Sequence, residues 1–139
     1  MGDVHCVSVG SGHLAVSNRP KLRAIAGLAA QGCQRIVTIQ GRNEAPSQIE
    51  RAAREAGIAW TWIEAGHGTF PAGDADRQMR RGLEEWVASL ESGESVLVHC
   101  SAGIHRTGML VFAALRRPAP VNRTTLSKPY PSKFSRFVV

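Results

Sequence analysis

The chain has 139 residues, 43% of them hydrophobic and 20% charged, which is one ordinary globular domain and not a low-complexity or disordered polymer. No apolar run reaches the roughly 18 residues of a membrane span, and no charged segment followed by an apolar one marks a secretory leader. Three cysteines are too few, and odd in number, for a disulfide framework, while a net charge of +6 favours anionic partners without choosing among them.

Val4–Val9 alternates and reads as a strand; Gly10-Ser11-Gly12 is a turn, and His13–Ser17 a second strand, so the chain should open with a hairpin. Pro20 suits the first turn of a helix over Lys21–Ala30, with an apolar stripe of Leu22, Ile25, Ala26, Leu28 and Ala29 and a stop at Gly32. Arg35–Ile39 is a buried-type strand, Gln40–Ala45 a loop, and Pro46–Ala56 a helix closed by Gly57. Ile58–Ile63 is the next strand, and 64–73 a loop rich in turn residues. Asp74–Glu91 should be a long helix, with Met79, Leu83, Trp86, Val87 and Leu90 on one face and Asp74 or Asp76 capping its start. Strands alternating with helices imply an α/β fold: a single domain with a central, mostly parallel sheet flanked by helices.

The informative stretch is Val96-Leu97-Val98-His99-Cys100-Ser101-Ala102-Gly103-Ile104-His105-Arg106-Thr107-Gly108. An apolar strand ends in His-Cys, a loop of small residues follows, and Arg-Thr-Gly opens a helix expected to run to about Arg117. Backbone N–H groups at a helix start, together with the helix dipole, form an anion site. A thiol placed there is favoured as thiolate, its nucleophilic form. Arg106 can return a planar fork to the same anion, with two parallel hydrogen bonds to a phosphate.

This run resembles the signature of the cysteine-dependent protein tyrosine phosphatases: His-Cys, five residues, Arg, Ser or Thr, then Gly. His99, Cys100, Gly103, Arg106, Thr107 and Gly108 meet its fixed positions. The signature's place in the second half of the chain resembles the compact dual-specificity branch. The resemblance implies a phosphatase-like fold and hydrolysis of phosphate monoesters through a cysteinyl-phosphate, without metal or cofactor. Cys100 would be the nucleophile, Arg106 and the backbone of Ser101, Ala102, Gly103, Ile104 and His105 the phosphate cradle, and Thr107 the aid to thiolate departure. His99 would orient the loop. The family's general acid is an Asp roughly thirty residues before the cysteine. Here Asp74 ranks first for that role, then His67, Glu64 and Asp76.

The loop carries no Lys at Ser101, Ala102 or Ile104 to meet extra phosphates. His105 resembles the ending of atypical members that act on inositol pyrophosphates, but the basic residues of that branch are missing. Phosphotyrosine in proteins, with phosphoserine and phosphothreonine beside it, is therefore the expected substrate. The alternatives are a slow phosphate-binding module and an enzyme for non-protein substrates such as inositol phosphates. The expected partner is a phosphorylated protein or small phosphate ester, with no specific nucleic acid, and the expected location the reducing cytoplasm. Cys6 and Cys33 are small core residues or resolving thiols for Cys100. Trp60, Trp62 and Trp86 read as packing. The catalytic domain should occupy 1–117, followed over 118–139 by an irregular, Pro-containing basic tail whose four Lys and Arg face no acid.

Overall fold

The computed structural model describes residues 5–65, 74–101 and 107–108, with side chains at 7–65, 77–101 and 107–108. The alternating N-terminal segments form an antiparallel hairpin, β1 (His5–Val9) with β2 (Gly12–Ser17). Gly10 takes φ 60° in its two-residue turn, a left-handed conformation that glycine adopts without steric cost.

The single helix expected over 21–30 is divided. A 3-10 turn at Leu22–Ala24 leads into α1 (Ile25–Ala30). Lys21 is extended and no side chain caps the turn, so its amides rely on short-range bonds such as Ala24 N–H to Lys21 O at 2.9 Å, which wind it tightly. β3 (Arg35–Gln40) follows, then a second 3-10 turn at Arg42–Glu44 inside the expected loop, α2 (Pro46–Glu55), β4 (Ala59–Glu64), α3 (Asp74–Glu91) and β5 (Ser95–His99). The bounds of α3 coincide with those expected from its apolar stripe.

The sheet runs in the order β1-β2-β5-β3-β4, with β2, β5, β3 and β4 parallel. The chain therefore has an α/β fold with a mostly parallel sheet flanked by helices. Its core has two halves. On one face, Ala15, Ile36 and Leu97 pack with Ile25 and Leu28 of α1 and Ile49 and Ala53 of α2. On the other, Leu14, Val37, Ile39, Ile63, Val96 and Val98 pack with Trp86 and Leu90 of α3. β5 is central, and every one of its residues is buried. This is why it reads as a continuous apolar run and not as an alternation. Trp86 is fully buried, as expected of a core residue, whereas Trp60 and Trp62 are half-buried.

The corner before α2 stores a small strain. Ala45 sits at φ 56°, ψ 50°, the left-handed region that a Cβ disfavours. Arg19 holds the corner by donating to Glu44 O and Ala45 O. Ala45→Gly should raise stability by about 0.5–1 kcal/mol, the relieved Cβ clash outweighing glycine's larger unfolded-state entropy. A urea titration of both chains checks this.

The expected helix after Arg106 is described only at Thr107 and Gly108, which are helical. Its remainder to Arg117 and the tail over 118–139 lie outside the described residues. No helix among the described residues is long and apolar enough to cross a membrane.

Candidate active site

Register places the signature at the carboxyl end of the central strand. Thr38 of β3 and Ser17 of β2 stand opposite His99. In parallel α/β sheets this end is where ligand loops gather. Cys100 follows directly, fully buried on the α3 side of the sheet. Ser101 is half-buried, and Thr107 is buried at the start of the next helical turn. A strand through His99 and helical backbone at Thr107 and Gly108 thus stand on either side of the signature loop. Ala102, Gly103, Ile104, His105 and Arg106 lie outside the described residues.

His99 is fully buried, and its ring is held at both nitrogens. Nδ1 lies 3.0 Å from Cys100 O and Nε2 lies 2.9 Å from Thr38 Oγ1. Burial lowers its pKa from 6.5 to about 4; the bond to the Cys100 carbonyl opposes this and the positive charge of Arg19 adds to it. A carbonyl only accepts, so Nδ1 carries the proton. In the neutral ring Nε2 is then bare and accepts from the Thr38 hydroxyl. His99 is therefore a fixed neutral donor to the backbone of Cys100.

Gln40, fully buried at the end of β3, donates Nε2–H to Ser101 Oγ at 2.7 Å. Its Oε1 and the hydroxyl of Thr107 are buried polar atoms with no hydrogen-bond partner among the described residues. Sequence reasoning passed over Thr38 and Gln40. The available signal was the break from apolar to polar residues at alternate positions near the end of β3.

The candidate acids are spread apart. Asp74 and Asp76 occupy the first turn of α3; their side chains, like His67, lie outside the described residues. Glu64 ends β4, two strand spacings or about 10 Å from the β5 line. It shares the sheet face of Trp60 and Trp62, opposite that of Cys100, and its Oε1 accepts from Arg42 Nε at 2.8 Å. Proton donation by Glu64 would require breaking that pair and turning to the other face.

The sheet also separates the thiols. Cys33 precedes β3 at the amino end, about six residue rises or 20 Å from the level of Cys100. Cys6 pairs with Ala15, which pairs with Leu97, leaving its Cα about 14 Å from that of Cys100. A disulfide requires Cα atoms within about 7 Å, so neither can resolve an oxidised Cys100 in this arrangement.

Comparison with known proteins agrees with this layout. Kinase associated phosphatase, in a form with its catalytic-site cysteine replaced by serine, superposes with a TM-score of 0.69 at 18% identity, over 81% of this chain and 71% of that one. A mutant form of Tk-PTP gives 0.64 at 21% identity, over 81% and 70%. The Siw14 catalytic core gives 0.54 at 19%, over 76% and 62%. At these identities the likeness is one of fold. Comparison with curated protein sequences gives no match. The family model described as "Tyrosine phosphatase family" matches residues 13–130, from β2 through the signature and beyond it. On that match over most of its length, the chain belongs to the tyrosine phosphatase family.

Proposed function

We propose that the chain hydrolyses phosphate monoesters, with phosphotyrosine in proteins as the leading substrate, through a cysteinyl-phosphate intermediate. The observation that carries this reading is the position of Cys100. It leaves the carboxyl end of the central parallel strand, with a neutral histidine fixed on its carbonyl and helical backbone at Thr107 and Gly108. In the first step the Cys100 sulfur bonds to phosphorus and the P–O bond to the leaving group breaks. Asp74, at the start of α3, gives the leaving oxygen its proton. Arg106 and the N–H groups of 101–106 meet the charge on the non-bridging oxygens. In the second step water attacks phosphorus, the S–P bond breaks, and the hydroxyl of Thr107 meets the departing thiolate. The protein's working compartment on this reading is the reducing cytoplasm, because an oxidised Cys100 cannot attack.

The test is turnover of p-nitrophenyl phosphate and of a phosphotyrosine peptide with a chelator present. Wild type should turn over both. Asp74→Asn should slow poor leaving groups such as phosphotyrosine by about 10²-fold, slow the activated aryl ester far less, and remove the basic limb of the pH–rate profile. A basic limb that survives in Asp74→Asn would move the role to Asp76 or His67. Peptide retention without turnover by wild type would instead make the chain a phosphate-binding module.

A further inference from the structure

Successive side chains of a strand alternate in face, and on the α1–α2 side three strands line up at the level of the site. There β4 presents Trp62, β3 presents Thr38 and Gln40, and β5 with its extension presents His99 and Ser101, while Trp60 stands one residue pair lower, opposite Ile36. One residue pair lower, the same columns are apolar, with Ile36 and Leu97 in the core. The change to polar residues coincides with the level of Cys100.

These residues are joined in two rungs. Trp60 Nε1–H donates to Thr38 Oγ1 at 2.8 Å, and the Thr38 hydroxyl donates to His99 Nε2 at 2.9 Å. His99 Nδ1–H then donates to Cys100 O at 3.0 Å. Each donor has one direction, set by the carbonyl at one end and the indole N–H at the other. In the second rung Trp62 Nε1–H donates to Gln40 O at 2.8 Å, which fixes the end of β3, and the Gln40 amide donates to Ser101 Oγ at 2.7 Å. The two indoles stack with centroids 6.3 Å apart and planes at 17°, tying the rungs together at the edge strand.

One rung holds the carbonyl of the Cys100–Ser101 peptide and the other the side chain of the residue that follows it. In a trans peptide the C=O and N–H point in opposite directions. Drawing Cys100 O towards His99 therefore turns the Ser101 N–H, the first amide of the loop, the other way. Thr38, Gln40 and His99 are all fully buried, where Val and Leu would pack without the cost of desolvating polar groups. Fold stability alone does not require a polar chain there.

We infer that Thr38, Gln40, Trp60 and Trp62 form a two-rung polar brace that orients the Cys100–Ser101 peptide and, through it, the anion-binding loop. They are positioning residues, and the inference rests on the reading of Cys100 and its loop as an anion site given above.

The test compares alkylation of Cys100 by iodoacetate, an anion, and by neutral iodoacetamide, read by mass spectrometry of the Cys100 peptide. The thiolate fraction cancels in the ratio of the two rates, so the ratio reports the loop's grip on an anion. Wild type should favour iodoacetate. Thr38→Val and Gln40→Leu should lower the ratio about 10-fold, with a similar fall in kcat on p-nitrophenyl phosphate, whereas Thr38→Ser should keep both. Trp60→Phe and Trp62→Phe keep a ring in place, remove only the N–H, and should move the ratio in the same direction. A purely structural role would shift the melting midpoint and leave the ratio alone. The inference is overturned if folded Thr38→Val and Trp60→Phe keep the wild-type ratio, or if wild type shows no preference for iodoacetate. If the ratio responds as expected while wild type hydrolyses nothing, the brace stands and the hydrolytic reading falls.

Discussion

Cys100→Ser should abolish hydrolysis of both aryl phosphate and phosphotyrosine peptide, by more than about 10⁴-fold in kcat. A serine hydroxyl at this position stays protonated at neutral pH and is a far poorer nucleophile than a thiolate. The adjoining His99 cannot serve as its base, because its Nδ1 is committed to Cys100 O and its Nε2 to Thr38 Oγ1. The substitution replaces sulfur by a smaller oxygen in a fully buried position and adds no bulk, so the fold should persist. The variant should therefore still retain a phosphotyrosine peptide, because in the proposed mechanism backbone N–H groups and Arg106, not the thiol, hold the phosphate. Loss of turnover with retained binding assigns the chemistry to the sulfur. Equal turnover in wild type and Cys100→Ser would sink the covalent mechanism.

The parts legible in the sequence are those whose signal is local. The run 96–98 is apolar because β5 is covered on both faces, and the small-residue loop that follows carries its own spacing. α3 was legible because Leu83, Trp86 and Leu90 repeat at helical period against one face of the sheet. The helix over 21–30 was legible only in part, since the missing cap at Lys21 left its first turn to wind as 3-10. The brace could not be read because it depends on β3 lying between β5 and β4. That pairing joins Thr38 to His99 across 61 residues, and no local period encodes it. The same strand order puts Cys33 at the wrong end of the sheet for a resolving thiol, although its sequence neighbourhood left the role open. Trp60 and Trp62 illustrate a related gap. Their bulk reads as packing, and they are half-buried, but their N–H groups also face polar partners that belong to another strand.

His99 also makes the fold sensitive to acid, and the sign follows from its neutral state. Its pKa is about 4 in the folded chain against 6.5 for an ordinary histidine. Above pH 6.5 the ring is neutral in both states and the shift contributes nothing to the pH slope. Between pH 6.5 and 4 the unfolded chain takes up a proton that the folded chain refuses, so stability falls as pH falls. Below 4 both states are protonated and the loss is complete, at about 3 kcal/mol. That is a large part of the 5–15 kcal/mol typical of a small domain. Urea midpoints at pH 7.5, 5.5 and 4.5 should show the loss in wild type. His99→Asn, which keeps an N–H donor near the Nδ1 position but does not titrate, should be less stable at pH 7.5 and show a shallower acid slope. Parallel slopes in the two proteins would remove His99 from the account. The same neutrality bears on catalysis: an acid limb in the pH–rate profile above about pH 5 belongs to another group, because the folded His99 has not yet taken up its proton.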